Sequence, residues 1–294
     1  MRGAHAGAAD LLERLLQLVG IGALSLRQVG LHAQTRQRRL QLMGGVEQEL
    51  AFARQPHQPL LRHASERATH GFAGRADIDG NLVMRAARSL QAATGITAGA
   101  DIRLDKRLPV ASGIGGGSAD AAATLRLLTC LWNFAAEDAV LQQLSLLLGS
   151  DVPACLASTT QLVRGRGELL EAQALDDLSS RPMLLVNPRV GVSTASVFAG
   201  WDRIDRGPLD ALDIDGLARA GRNDLEAPAL LLVPVIGEVL EALQAQAPRL
   251  VRMSGSGATC FALFDDEQGR RQAADALRRD HPDWWVMETR IRTS

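Results

Sequence analysis

Apolar and polar positions become regular only from about Gly71. Asn81 to Ala93 places Leu82, Ala86 and Leu90 on one face and Arg85 and Arg88 off it, which predicts a helix. Asp101 to Lys106 alternates, with Ile102 and Leu104 facing one way and Arg103 and Asp105 the other, which predicts a strand ended by Pro109. A loop over Val110 to Gly117 then enters an Ala- and Leu-rich helix from about Ser118 to Trp132. Further helices are predicted over Glu137 to Leu148, closed by Gly149, over Glu238 to Gln246 and over Gln268 to Arg279. Short strands are predicted at Met183 to Val186, Leu250 to Met253, Cys260 to Phe264 and Trp284 to Arg292. The fold class is therefore α+β, with Ala172 to Arg181 as the least committed stretch and the candidate link between an N-terminal domain, 1–180, and a C-terminal domain, 181–294.

Residues 1 to 70 read differently. They hold five of the six histidines, nine arginines against five acids, and eight glutamines. The segment is net +4 and the remainder net −5. Leu11, Leu12, Leu15, Leu16 and Leu18 suggest one amphipathic helix face. No strand alternation is evident, and Arg54 to His70 reads as polar loop broken by Pro56 and Pro59.

Composition excludes more than it selects. A net charge of −1 gives no bulk reason to expect nucleic acid or an anionic membrane as partner. No apolar run approaches the ~20 residues that span a bilayer. Cys130, Cys155 and Cys260 form no CxxC pair, so a reducing, cytoplasmic setting is expected. Lys106 is the single lysine, and tyrosine is absent.

Chemistry concentrates at Pro109, Val110, Ala111, Ser112, Gly113, Ile114, Gly115, Gly116, Gly117, Ser118 and Ala119. The first N–H groups of a helix lack intrahelical partners and carry partial positive charge, so anions bind there. Glycines at 113, 115, 116 and 117 would permit positive φ and close backbone approach to a phosphate. Ser118 could cap the helix and offer a hydroxyl to phosphate or metal. A Walker A loop fails because Lys106 precedes the glycines, and a Rossmann fingerprint fails because serine stands at its third glycine. Gly255, Ser256 and Gly257 form a second candidate nest of N–H groups, whose plainer reading is a turn between two strands. Asp151, after Gly149-Ser150 and before Val152-Pro153, reads locally as a cap or turn residue. His281, Trp284 and Trp285 fit a surface turn and core strand better than a base-stacking platform.

The loop resembles the second motif of the GHMP kinase superfamily, Pro-x-x-x-Gly-Leu-Gly-x-Gly/Ser-Ser. Within it, the nearest likeness is to the 4-diphosphocytidyl-2-C-methyl-D-erythritol kinases of non-mevalonate isoprenoid biosynthesis. Asp105-Lys106-Arg-Leu-Pro-Val, Asn81-Leu-Val-Met-Arg-Ala-Ala, Leu148-Gly-Ser-Asp-Val-Pro-Ala-Cys, Gly165-Arg-Gly-Glu168, Asn187-Pro188 with Ser193-Thr194, Asn223-Asp-Leu-Glu-Ala-Pro-Ala229 and Met253-Ser-Gly-Ser-Gly-Ala-Thr259 follow in the family's order. The resemblance covers about residues 71 to 294. It implies a two-domain fold, ATP and Mg²⁺ as cofactors, and phosphorylation of a small cytidine-linked alcohol. It implies Asp151 as general base, Ser118 as a metal ligand, and Thr194 and Asn187 lining the acceptor site. The family's first motif, Pro-x-Lys-x-Asn-Leu, and its Gly-Tyr-His, which helps hold cytidine, have no counterpart before Lys106. The family's N-terminal segment also supplies early strands, which residues 1 to 70 are not expected to replace. Three readings stay open: an active kinase for this substrate, a nucleotide-binding protein without catalysis, and a GHMP kinase for another alcohol such as homoserine or a mevalonate-type compound.

Overall fold

The computed structural model describes residues 37–42, 48–55, 64–68, 80–106, 108–109, 112–134, 138–173, 175–207 and 213–292. They belong to two compact units. The first is formed by the chain up to residue 107 and by 117–173; the second is formed by 108–116 and 174–293. The glycine-rich segment thus leaves the first unit, runs through the second, and returns.

In the first unit, β1 (Gln37–Leu42), β2 (Gln48–Gln55), β3 (Ala64–Ala68) and β4 (Gly99–Lys106) form a sheet in the order β1-β2-β4-β3. Pairing is antiparallel except for the parallel β3–β4 ladder. This corrects the sequence expectation that residues 1 to 70 supply no strand and that Arg54 to His70 is loop. The physical reason lies in register. Without neighbours β4 would leave backbone groups unpaired on both edges, and the extended segments β2 and β3 satisfy them. Leu50 and Phe52, two residues apart, stand opposite Leu104 and Ile102. That period-two pair was the available signal, masked by the surrounding arginine and glutamine. The proposed leucine face at 11–18 lies outside the described residues.

Helix α1 (Leu82–Thr94) begins at Asn81, whose side chain accepts from the Val83 N–H at 2.9 Å, and ends at Gly95 with φ 66°. Helices α2 (Gly116–Leu131), α3 (Asp138–Leu148) and α4 (Val152–Ala157) follow, then a two-stranded hairpin of β5 (Gln161–Arg164) and β6 (Leu169–Ala172). Leu90, Ile102, Leu125 and Leu128 lie at the heart of this unit's core. A Cβ on Gly117 would meet Leu82 at 3.5 Å, an ordinary van der Waals contact, so packing here does not demand glycine.

The second unit's sheet runs β10-β7-β9-β8, antiparallel throughout, from β7 (Pro182–Asn187), β8 (Leu250–Met253), β9 (Cys260–Leu263) and β10 (Trp285–Arg290). Helices α5 (Thr194–Ala199), α6 (Ile214–Ala220), α7 (Glu226–Leu232), α8 (Val235–Gln244) and α9 (Glu267–Asp280) complete it. Leu184, Ile236, Leu243 and Leu277 anchor its core. His281 stacks on Trp284 at 3.8 Å while Trp285 is buried in β10, consistent with the turn-and-strand reading. Among the described residues, no helix is long and apolar enough to cross a membrane.

Candidate active site

The second unit brings the two glycine loops into contact. Gly113 and Gly115 hold φ of 74° and 69°, and Gly255 and Gly257 hold 53° and 86°, all in the left-handed region that favours glycine. A Cβ on Gly113 would run into the carbonyl oxygens of Gly257 and, at 2.7 Å, Ser254. A Cβ on Gly255 would meet the Gly113 carbonyl at 2.9 Å. The Ser254 hydroxyl donates to the Gly113 carbonyl at 2.9 Å, and the Thr259 N–H donates to the Ser112 carbonyl at 3.1 Å. These backbones can lie this close only because glycine stands on both sides.

Two expectations for the first loop need correction. Helix α2 starts at Gly116, so Gly116 and Gly117 are helical and are not among the positive-φ glycines. Ser118 is therefore inside the first turn, not at the cap, and its N–H joins the unpaired donors there. Ala119 and the alanines at 121 to 123 are buried in the core and serve packing. Pro109 and Ser112 are buried, while Ile114 is half-buried; Val110 and Ala111 lie outside the described residues.

Around the second loop, Thr194 shares a hydrogen bond with Ser256 at 3.0 Å. The Asn187 amide donates to the Thr259 hydroxyl at 2.9 Å, and its carbonyl oxygen accepts from the Arg189 N–H at 2.7 Å. Asn187 is only 1% exposed, so it braces the loop more than it lines a site. Thr194 is exposed. Sequence reasoning missed Asn223 as a site residue: its amide donates to the carbonyls of Met253 at 3.0 Å and Gly255 at 2.8 Å. Arg252 donates to the carbonyls of Ala218 and Gly221 at the end of α6, which fixes the approach to Asn223. The signal available was the Asn-Asp-Leu-Glu stretch, without a hint of its partners.

In the first unit, Asp151 occupies the N-cap position of α4 and is exposed, yet its carboxylate makes no capping hydrogen bond. The local cap reading thus holds by position but not by side-chain bonding. Its surroundings are firmly set. A Cβ on Gly167, φ 102°, would run into the Ser150 carbonyl, so the β5–β6 turn packs directly behind the residue before Asp151. Glu168 accepts from the Arg166 N–H at 2.6 Å and holds that turn. Arg126 donates to the carbonyls of Cys155 and Leu156 at 2.8 and 3.0 Å, and Gln161 to that of Ala154 at 2.9 Å. Burial, with Asp151 adding to it, pushes the Cys155 thiol up to about 11, against a smaller opposing pull from Arg126. Among the described residues no cluster of His, Cys, Asp or Glu could hold a metal ion by itself.

The chain matches the GHMP kinases N terminal domain over residues 81–159 and the GHMP kinases C terminal domain over residues 209–283. It is also 58% identical over 219 residues to 4-diphosphocytidyl-2-C-methyl-D-erythritol kinase of Rhizorhabdus wittichii, covering 74% of each chain. The chain belongs to the GHMP kinase family. It is a small-molecule kinase of the α+β GHMP fold. A solved 4-(cytidine 5'-diphospho)-2C-methyl-D-erythritol kinase superposes with TM-score 0.62 at 32% identity, over 83% of this chain and 90% of the other. The homoserine kinase of Cytophaga hutchinsonii superposes with TM-score 0.66 at 17% identity, over 84% and 87%, a likeness of fold alone.

Proposed function

We propose that this GHMP kinase transfers the γ-phosphate of ATP to the 2-hydroxyl of 4-diphosphocytidyl-2-C-methyl-D-erythritol, in isoprenoid precursor synthesis. The observation that carries the substrate is the 58% identity to a relative of that name, well beyond what shared fold requires. Homoserine as acceptor rests only on the 17% identical neighbour, and the Asn223-Asp-Leu-Glu and Gly165-Arg-Gly-Glu stretches speak against it.

The interlocked loops are read as the triphosphate cradle. Gly113 and Gly115 supply backbone with no side chain in the way, and Gly255 to Gly257 add a second nest; the first turn of α2, in the other unit, offers unpaired N–H donors of its own. Donors rather than carboxylates fit a polyphosphate. Mg²⁺ would arrive on the nucleotide, where the Ser118 hydroxyl would help to hold it and it would supply charge neutralisation. The acceptor hydroxyl attacks the γ-phosphorus, the new O–P bond forms as the bond to the β-phosphate oxygen breaks, and ADP leaves. Asp151 takes the hydroxyl proton. Its carboxylate is exposed and not committed to its own helix, as a base requires. Thr194 is assigned to the acceptor side and Asn187 to bracing it.

One observation favours a second reading, nucleotide binding without turnover. No lysine precedes Lys106 and tyrosine is absent, so neither a first-motif lysine nor the family's Gly-Tyr-His is present. The test is phosphorus NMR of the reaction mixture, with the chain as written and with a chain carrying a family-like segment before Gly71. A new phosphomonoester at the 2-position from the second chain supports the assignment. ATP consumption with homoserine but not with the erythritol substrate would overturn it.

A further inference from the structure

The carbonyls that Asn223 holds dictate where the second glycine loop presents its N–H groups. In a trans peptide the carbonyl of one residue and the N–H of the next point in opposite directions. The Gly255 carbonyl is held on the Asn223 side at 2.8 Å, so the Ser256 N–H faces away from Asn223. No hydrogen bond among the described residues uses that N–H, although Ser256 is only 7% exposed. Gly255, at φ 53° and without a Cβ, offers little resistance of its own to a peptide flip. The other amide hydrogen of Asn223 holds the Met253 carbonyl at 3.0 Å, at the root of the loop. Its Oδ1 accepts from the Leu225 N–H at 3.0 Å, which fixes the side chain in one orientation.

We propose that Asn223 is a positioning residue that locks the Gly255–Ser256 peptide so that the Ser256 N–H is aimed at the phosphates of the bound nucleotide. This rests on reading the loop as the phosphate site. Asn223→Asp is the sharp test. It keeps the shape and the acceptor for Leu225, but replaces the amide donor with a carboxylate oxygen facing two carbonyls. The peptide is then released and the N–H lost to the ligand.

The measurement is calorimetric titration of the full chain with ATP and separately with tripolyphosphate. Asn223→Asp is expected to weaken both about 10- to 100-fold, the range spanned by one hydrogen bond to a charged group. Melting temperature, recorded in parallel, separates this from damage to the fold, which would lower melting and leave affinity of the folded protein unchanged. Should Asn223→Asp not fold, Asn223→Ser, which removes the donor without adding charge, is expected to lose about three- to tenfold. Unchanged affinity in a folded variant overturns the proposal, as does a loss seen with ATP but not with tripolyphosphate. A wild-type chain that binds neither ligand would instead remove the phosphate reading itself, and the proposal with it.

Discussion

Gly113→Ala and Gly115→Ala together measure how tightly the two loops are interlocked. Both glycines have positive φ, 74° and 69°, so alanine is strained at either position. That strain is about 1–2 kcal/mol, offset by about 0.4–1 kcal/mol because alanine restricts the unfolded chain. At Gly115 nothing lies within 4 Å of the added Cβ, so the net loss should stay at or below about 1.5 kcal/mol. At Gly113 the Cβ runs into the carbonyls of Ser254 and Gly257, which are backbone and cannot swing aside. Overpacking of this kind adds about 1–3 kcal/mol on top of that net loss, for a total of roughly 1–4.5 kcal/mol. Urea unfolding followed by tryptophan fluorescence is suited to the comparison, since Trp201, Trp284 and Trp285, of four tryptophans, lie in the second unit. Equal destabilisation by the two substitutions would refute the interlock, because conformational strain would then account for everything.

Three further outcomes follow from the same geometry. Asp151→Asn, in a chain with a family-like N-terminus, should lower turnover about 10²–10⁴-fold with little change in ATP affinity, and wild-type turnover would return Asp151 to the role of a turn residue. Gly167→Ala should push Ser150 and thereby Asp151 out of place, so steady-state kinetics should show kcat falling while the KM for ATP holds; an equal loss in both would count against a local effect. The Cys155 thiol, raised to about 11 from 9.0, should resist alkylation at pH 8 in a chain whose other cysteines are serine, and react as pH climbs toward 11. Because its folded value lies above the unfolded one, the linked stability is intact below pH 9 and declines as pH rises through about 11, which denaturation at pH 8 and pH 10.5 would register.

Strong periodicity made the long elements readable. Helices α1, α2, α3 and α9 and strands β4, β7 and β8 fall within a few residues of their predicted spans, because each buries one apolar face or run. The short helices α4 to α7 and the β5–β6 hairpin carried too few turns or alternations to stand out. Strands β1 to β3 were missed because their sequence is charged and glutamine-rich; β2 and β3 pair with the two edges of β4, and β1 pairs with β2. With those strands in place, the reading without turnover rests on the missing lysine and tyrosine rather than on a missing sheet. At the site, glycines announced the loops, but not which of them needed positive φ. Gly113 and Gly115 do, whereas Gly116 and Gly117 are helical. The carbonyl grip of Asn223 was illegible because it joins positions about thirty residues apart through backbone acceptors that no side-chain pattern reveals.

The most direct test is ADP release with 4-diphosphocytidyl-2-C-methyl-D-erythritol as acceptor, from the chain as written and from a chain with a family-like segment, bearing the first-motif lysine and the Gly-Tyr-His, joined near Gly71. The account predicts steady, acceptor-dependent ADP release from the second chain and little or none from the first. A second chain that folds, binds ATP and still ignores this acceptor would contradict the assigned function. Robust turnover by the chain as written would show that neither missing motif is required.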